Sequence, residues 1–107
     1  MLVRVAAAAL NPGELPQAGN AAAPDGSVPD CDAAGTVEEP TASGAGPGAG
    51  TRVVTWSWAG GWVELRAVHV DELAALPDKV DFVRAAALPG QRVAVTGASG
   101  GDGHFAV

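Results

Sequence analysis

The sequence predicts a small, mainly β protein with one short helix late in the chain and a last strand that opens onto a glycine turn. Three observations predict it. Residues 51–58 and 62–69 are rich in branched and aromatic side chains around Ala59-Gly60-Gly61, and Leu2-Val3-Arg4-Val5-Ala6 alternates apolar bulk with a charge. Near the end, Val93-Ala94-Val95-Thr96 runs into Gly97-Ala98-Ser99-Gly100-Gly101-Asp102-Gly103, the way a strand delivers a turn to the pyrophosphate of a dinucleotide. With 15 glycines and 8 prolines among 107 residues, the chain has material for one small domain and a marginal core.

The elements follow in order. Leu2 to Ala6 reads as a half-buried strand with Val3 and Val5 on one face, and Asn11-Pro12-Gly13 breaks any regular element. Residues 16–29 hold almost no bulky apolar side chain and read as a loop. Residues 32–39 read as a short strand, in which Gly35 marks a close backbone approach or a bulge, and residues 40–50 as a flexible connection. Residues 51–58 and 62–69 read as a hairpin, with Glu64 and Arg66 on one face of its second strand and Val63, Leu65 and Ala67 on the other. The segment 71–76 is ambiguous between a helical turn and extended chain. Asp81 caps a short helix over 82–88, which Pro89-Gly90 closes, and residues 91–96 form the last strand.

Composition excludes several classes of function. A net charge of −6, with six basic residues scattered singly, offers no patch to neutralise a phosphate backbone, so nucleic acid is not an expected partner. A single cysteine, Cys31, rules out an internal disulfide and a four-cysteine zinc site and suits a reducing cytoplasm. The apolar stretch 2–10 is interrupted by Arg4 and is far short of the ~20 residues of a spanning helix, and it lacks the basic flank of a signal peptide. A soluble, cytoplasmic protein without a membrane partner is expected.

The order of the pieces resembles the medium-chain dehydrogenase/reductase superfamily, the zinc-type alcohol dehydrogenases and quinone oxidoreductases. Six segments carry the resemblance: Val3-Arg4-Val5 with Ala9-Leu10-Asn11-Pro12-Gly13-Glu14-Leu15; Asp32-Ala33-Ala34-Gly35-Thr36-Val37-Glu38; Gly50-Thr51-Arg52-Val53-Val54; Gly60-Gly61-Trp62-Val63-Glu64-Leu65; Ala85-Ala86-Ala87-Leu88-Pro89; and residues 92–101. The resemblance implies a partial GroES-like β-barrel over residues 1–88 and the start of a Rossmann domain over 89–107. It also implies hydride transfer between NADP or NAD and a small carbonyl, enone or quinone. Four departures from the family pattern stand out. The opening hairpin of the barrel is not seen, and only Gly90 stands where a long crossing helix belongs. Asp102 replaces an apolar residue, and the acidic ribose partner about 20 positions beyond the glycine turn would lie past Val107.

For chemistry, the turn residues Ala98, Ser99, Gly100, Gly101, Asp102 and Gly103 are the cofactor-binding candidates, with backbone amides facing an anion and the Asp102 carboxylate opposing it. The residues alone leave a flexible glycine tail open as the alternative. In the zinc-dependent branch a cysteine stands where Asn11 is and a His-Glu pair where Cys31-Asp32 falls. Asn11 is a poor zinc ligand, so the resemblance points to the zinc-independent branch, to no metal, and to Asn11 as the catalytic candidate that positions substrate or nicotinamide. By its own chemistry alone Asn11 reads first as a turn residue bonded to its own backbone. Nothing in the sequence brings Cys31, Asp32, His69 and His104 together. Trp56, Trp58 and Trp62 read as core of a small barrel, with one of them open to a substrate cleft.

The sequence therefore points to a fragment of an NAD(P)-dependent, zinc-independent oxidoreductase, without appreciable activity by itself. The alternative is a non-enzymatic β-barrel module that binds a protein partner, or a second copy of itself, through exposed strand edges. A third reading is a fragment that hardly folds.

Overall fold

The computed structural model describes residues 1–20 and 23–87. Their architecture is mainly β: five strands, β1 (Leu2–Ala8), β2 (Asp32–Glu39), β3 (Arg52–Trp56), β4 (Leu65–Ala67) and β5 (Leu73–Ala75), in one antiparallel sheet of order β4-β1-β2-β3-β5. Two short helices accompany it, α1 (Leu15–Ala18) and α2 (Phe82–Ala86), together with 3-10 turns at Pro12–Glu14 and Val70–Glu72. The expected last strand over 91–96, the glycine turn and the Pro89-Gly90 stop lie outside the described residues.

The sheet is curled, and the chain connection requires it. β4 and β5 lie at opposite edges, yet only residues 68–72 join them, three of them wound in a 3-10 turn. Such a linker reaches about 17 Å, whereas four flat inter-strand gaps need about 19 Å. The inner face confirms the curl: Val68 and Leu73, from the two edges, pack in one buried cluster with Val3, Val37 and Val53. On the outer face Ala34 is buried against Ala85 and Ala86 of α2, with Ala7, Val54, Val80 and Phe82 around them. Asp81 starts α2 as expected, its Oδ1 accepting the Arg84 N–H at 2.8 Å. Arg52 fixes the preceding loop by donating to the Pro77, Asp78 and Val80 carbonyls and lying 4.7 Å from the Phe82 ring centroid.

Gly35 is where the sequence pattern asked for a close approach. It pairs with Val5 beside the register shift between Val5 and Ala7, and a Cβ on it would sit 2.8 Å from the Arg4 carbonyl carbon.

Two expectations are corrected. The runs 51–58 and 62–69 do not form a hairpin: β3 pairs with β2 and β5, and β4 pairs with β1 across the sheet. In the second run it is the charged residue that turns inward. Arg66 is in register with Val3 and so shares its inward face, 3% exposed, while Leu65 and Ala67 point outward. The residue-16 to residue-29 loop also begins later than expected, because α1 continues through Ala18.

Candidate functional site

Pairing of Ala8 with Ala33 places the end of β1 beside the start of β2, so residues 9–14 and 30–32 meet at one end of the curled sheet. The Ala9 N–H donates to the Asp32 carbonyl at 3.2 Å, and the Trp62 indole N–H donates to the Ala9 carbonyl at 3.0 Å. Asn11 follows in extended conformation and begins the 3-10 turn. The spacing Asn11-x-x-Glu14 is that of a capping box, and Glu14 uses it: its Oε2 accepts the Asn11 N–H at 2.8 Å.

The Asn11 side chain is held from two sides. Its Nδ2 donates to Glu14 Oε1 at 3.0 Å and to Asp32 Oδ2 at 3.2 Å. Two carboxylates therefore fix which way the amide faces, with the nitrogen toward them and Oδ1 on the other side. Glu14 Oε1 also accepts the Cys31 N–H at 3.4 Å. Asp30 holds a left-handed backbone, φ 81°, unusual outside glycine and asparagine, and its Oδ1 accepts the Asp32 N–H at 3.1 Å.

Arg66 supports this end from inside the sheet. It donates to Thr55 Oγ1 at 2.7 Å, to the Cys31 carbonyl at 2.9 Å and to the Ala59 carbonyl at 3.0 Å, and Thr55 in turn donates to the Ala33 carbonyl at 3.1 Å. The inner face is thus apolar at the valine end and polar at the Asn11 end.

Electrostatics follow from burial. Asp30 is pushed up to about 6, chiefly by burial and further by the neighbouring Glu14 and Asp32 charges, against the pull of the Asp32 N–H. Burial also raises Asp32 and the Cys31 thiol, so Cys31 is a poor nucleophile here. Burial alone would raise Glu14 as well, but the Asn11 side chain and backbone first, and Asp30 and the Cys31 N–H after them, outweigh it and lower the group. Burial pulls Arg66 down, with the Asp30, Glu72 and Asp32 charges opposing that pull.

Of the residues singled out in the sequence, Asn11, Cys31 and Asp32 come together. His69 does not: it is exposed and faces Asp71 at 3.2 Å. His104 and the candidates Ala98, Ser99, Gly100, Gly101, Asp102 and Gly103 lie outside the described residues. Glu14, Asp30 and Arg66 complete the site, and only Glu14 had a local signal, its capping spacing from Asn11. Among the described residues, no group of three or more His, Cys, Asp or Glu side chains is arranged to hold a metal ion.

The tryptophans are not a common core. Trp58 is 81% exposed, in an edge-to-face contact with half-buried Trp56 at 5.0 Å between ring centroids, and its carbonyl faces the Cys31 thiol at 3.6 Å. Leu10 and Leu15, on either side of the Asn11 turn, are also exposed. No helix among the described residues is long and apolar enough to cross a membrane.

No protein-family model matches the chain, and no curated protein matches it. Solved structures do. The human synaptic vesicle membrane protein VAT-1 homolog-like protein superposes with a TM-score of 0.73 at 30% identity, over 84% of this chain and 30% of that one. A probable oxidoreductase from Mycobacterium abscessus superposes with a TM-score of 0.71 at 27% identity, over 83% of this chain and 29% of that one. The chain spans less than a third of the length of either structure. These likenesses support the resemblance to the medium-chain dehydrogenase/reductase superfamily, with this chain similar to one part of an oxidoreductase-type fold.

Proposed function

We propose that the described sheet is the substrate-side part of a cytoplasmic, zinc-independent, NAD(P)-dependent oxidoreductase acting on a small carbonyl, enone or quinone. The observation that carries the reading is the Asn11 amide, fixed by Glu14 and Asp32 at the open end of the sheet. Both Nδ2 hydrogens are committed to carboxylates, so Asn11 is not the donor that polarises a carbonyl oxygen. What it offers is Oδ1, an acceptor suited to the N–H of a carboxamide or the O–H of a ribose. Asn11 accordingly positions the nicotinamide end of the cofactor, and the cofactor supplies the hydride. Exposed Leu10, Leu15 and Trp58 give the apolar surround that a flat enone or quinone requires. The turn from Ala98 to Gly103 is the proposed pyrophosphate contact, with Asp102 weakening it.

The experiment is a titration of NADPH and NADH against the pure chain, read by tryptophan fluorescence and by the Asn11 side-chain amide resonance, with quinone reduction assayed alongside. Weak perturbation centred on Asn11 and Trp58, lost in Asn11→Ala, without turnover, is the expected result. Perturbation elsewhere, or none, refutes the assignment of Asn11; tight saturable binding with turnover refutes the expected inactivity. A second reading, a module that binds a protein partner or a copy of itself, is favoured by the same exposed Leu10, Leu15 and Trp58 and by the edge strands β4 and β5. Light scattering after size exclusion separates the two: a defined dimer without nucleotide response supports the module.

A further inference from the structure

The carboxylates that hold Asn11 are not independent of one another. Glu14 is 4% exposed and Asp30 1%, and Asp30 Oδ2 is buried with no N–H or O–H donor in reach. Its surroundings leave it little else to meet. Gly61 packs against it so tightly that a Cβ there would fall 2.6 Å from Asp30 Cγ, and the Gly61 N–H is already spent on the Asp30 carbonyl at 2.9 Å. The Glu14 carboxyl lies beside it, its Oε1 accepting the N–H of Cys31, the next residue, at 3.4 Å, and the two carboxyl charges act on each other. Two carboxyl groups buried so close can bond to each other only if one of them carries a proton.

We propose that Asp30 and Glu14 share one proton, carried on Asp30 Oδ2 and donated to Glu14, and that this proton closes the clamp that positions Asn11, making the site a pH-sensitive switch. The proton belongs on Asp30 because the donors are unevenly divided. Glu14 accepts from Asn11 N, Asn11 Nδ2 and Cys31 N, which stabilise its anion, whereas among the described residues the Asp30 carboxyl accepts from Asp32 N alone. When the proton leaves, two buried carboxylates face each other across the turn. Glu14 can relieve the repulsion only by withdrawing from Asp30, and both its bonds to Asn11 move with it.

The other charges around Asp30 have been weighed in the same way. From β2, Asp32 adds repulsion and favours the proton, and Cys31 is a neutral thiol with its pKa raised. From β4, Arg66 attracts the anion, but three of its N–H groups go to Thr55 and two carbonyls, and Glu72 shares its field. No cation among the described residues is bonded to either carboxyl, and the burial that lifts Asp30 to about 6 puts the switch at mildly acidic pH. The proton itself depends on nothing in the proposed function; its consequence for cofactor positioning rests on that reading of Asn11.

The test is an NMR titration of the labelled full chain between about pH 4.5 and about pH 7.5. Three signals are followed: the Asp30 carboxyl carbon, the Asn11 side-chain amide, and the Trp62 indole N–H, which reports on Ala9 two residues before Asn11. A common step with its midpoint near 6 is expected. Asp30→Asn, whose amide can donate permanently to Glu14, removes the step and leaves Asn11 in its low-pH position; Glu14→Gln lowers the midpoint. An Asn11 amide that does not move, or a step that survives in Asp30→Asn, overturns the proposal. Should the variants fail to fold, the wild-type Asp30 carbon decides alone, since titration near the ordinary 3.8 also overturns it. Nucleotide binding is not needed for any of these signals, so a failed nucleotide titration with the step intact sinks only the proposed function.

Discussion

Replacing Asp30 by asparagine should stabilise the protein at neutral pH and flatten its pH dependence. Asparagine is nearly isosteric, accepts the left-handed φ of 81° more readily than aspartate, and can keep the acceptor for the Asp32 N–H while donating to Glu14. The sign follows from linkage. Asp30 rises from 3.8 to about 6 on folding, so its stabilising contribution is complete below 3.8 and is lost as pH climbs to about 6. That rise corresponds to about 3 kcal/mol of preference for the protonated form, and solvent near the end of the sheet reduces the expected gain at neutral pH to about 2 kcal/mol. For a domain of this size such a gain raises Tm on the order of 10 °C. Glu14 has the opposite sign: its lowered pKa contributes stability above 4.5 that is lost below it, so measurements above 4.5 isolate Asp30 and the smaller, like-signed share of Asp32. Urea unfolding followed by tryptophan fluorescence at about pH 4.5 and about pH 7.5 measures the effect. A variant that is as pH-sensitive as the wild type, or less stable at the higher pH, refutes the reasoning.

Three further substitutions probe the frame. Arg66→Met removes donors to Thr55, the Cys31 carbonyl and the Ala59 carbonyl at once, and should cost about 3 kcal/mol or more in urea unfolding; it should also raise the Asp30 midpoint, since a nearby positive charge is gone. Gly35→Ala drives a methyl into the Arg4 backbone at the β1–β2 bulge and should cost about 3 kcal/mol, with loss of amide-exchange protection along both strands. Asp81→Ala deletes the cap of α2 and should cost about 1 kcal/mol in thermal unfolding, leaving the Asn11 resonances where they are.

What the sequence disclosed was local, and what it hid was partner choice. β1, β2 and α2 were readable because alternation, a bulge glycine and an aspartate cap are written within a few residues. The missing hairpin was not, since residues 51–58 and 62–69 carry strong β signals that say nothing about which strand each joins. The inward turn of Arg66 has the same cause. Period two divided its strand correctly into two faces but could not say which was inside, and pairing with β1 in register with Val3 decided against the apolar set. Trp58 was misjudged likewise, because its strand ends at Trp56 and alternation stops there.

The site shows the same limit in sharper form. Asn11 and Glu14 announce their pairing by spacing, and Asp32 opens a strand that the sequence marks well, so the amide and two of the three carboxyl groups around it were within reach. Asp30 was not. Its importance comes from a left-handed φ and from the close packing of Gly61, more than 30 residues away, on a carboxyl that is shut off from water. Burial turns an ordinary surface residue type into a proton store because no cation among the described residues is bonded to it, Arg66 being turned to Thr55 and two carbonyls. The same end of the sheet therefore gains a fixed Asn11 and a dependence on pH from one arrangement, and a change that removes the second while keeping the first, as Asp30→Asn is expected to do, separates positioning from switching.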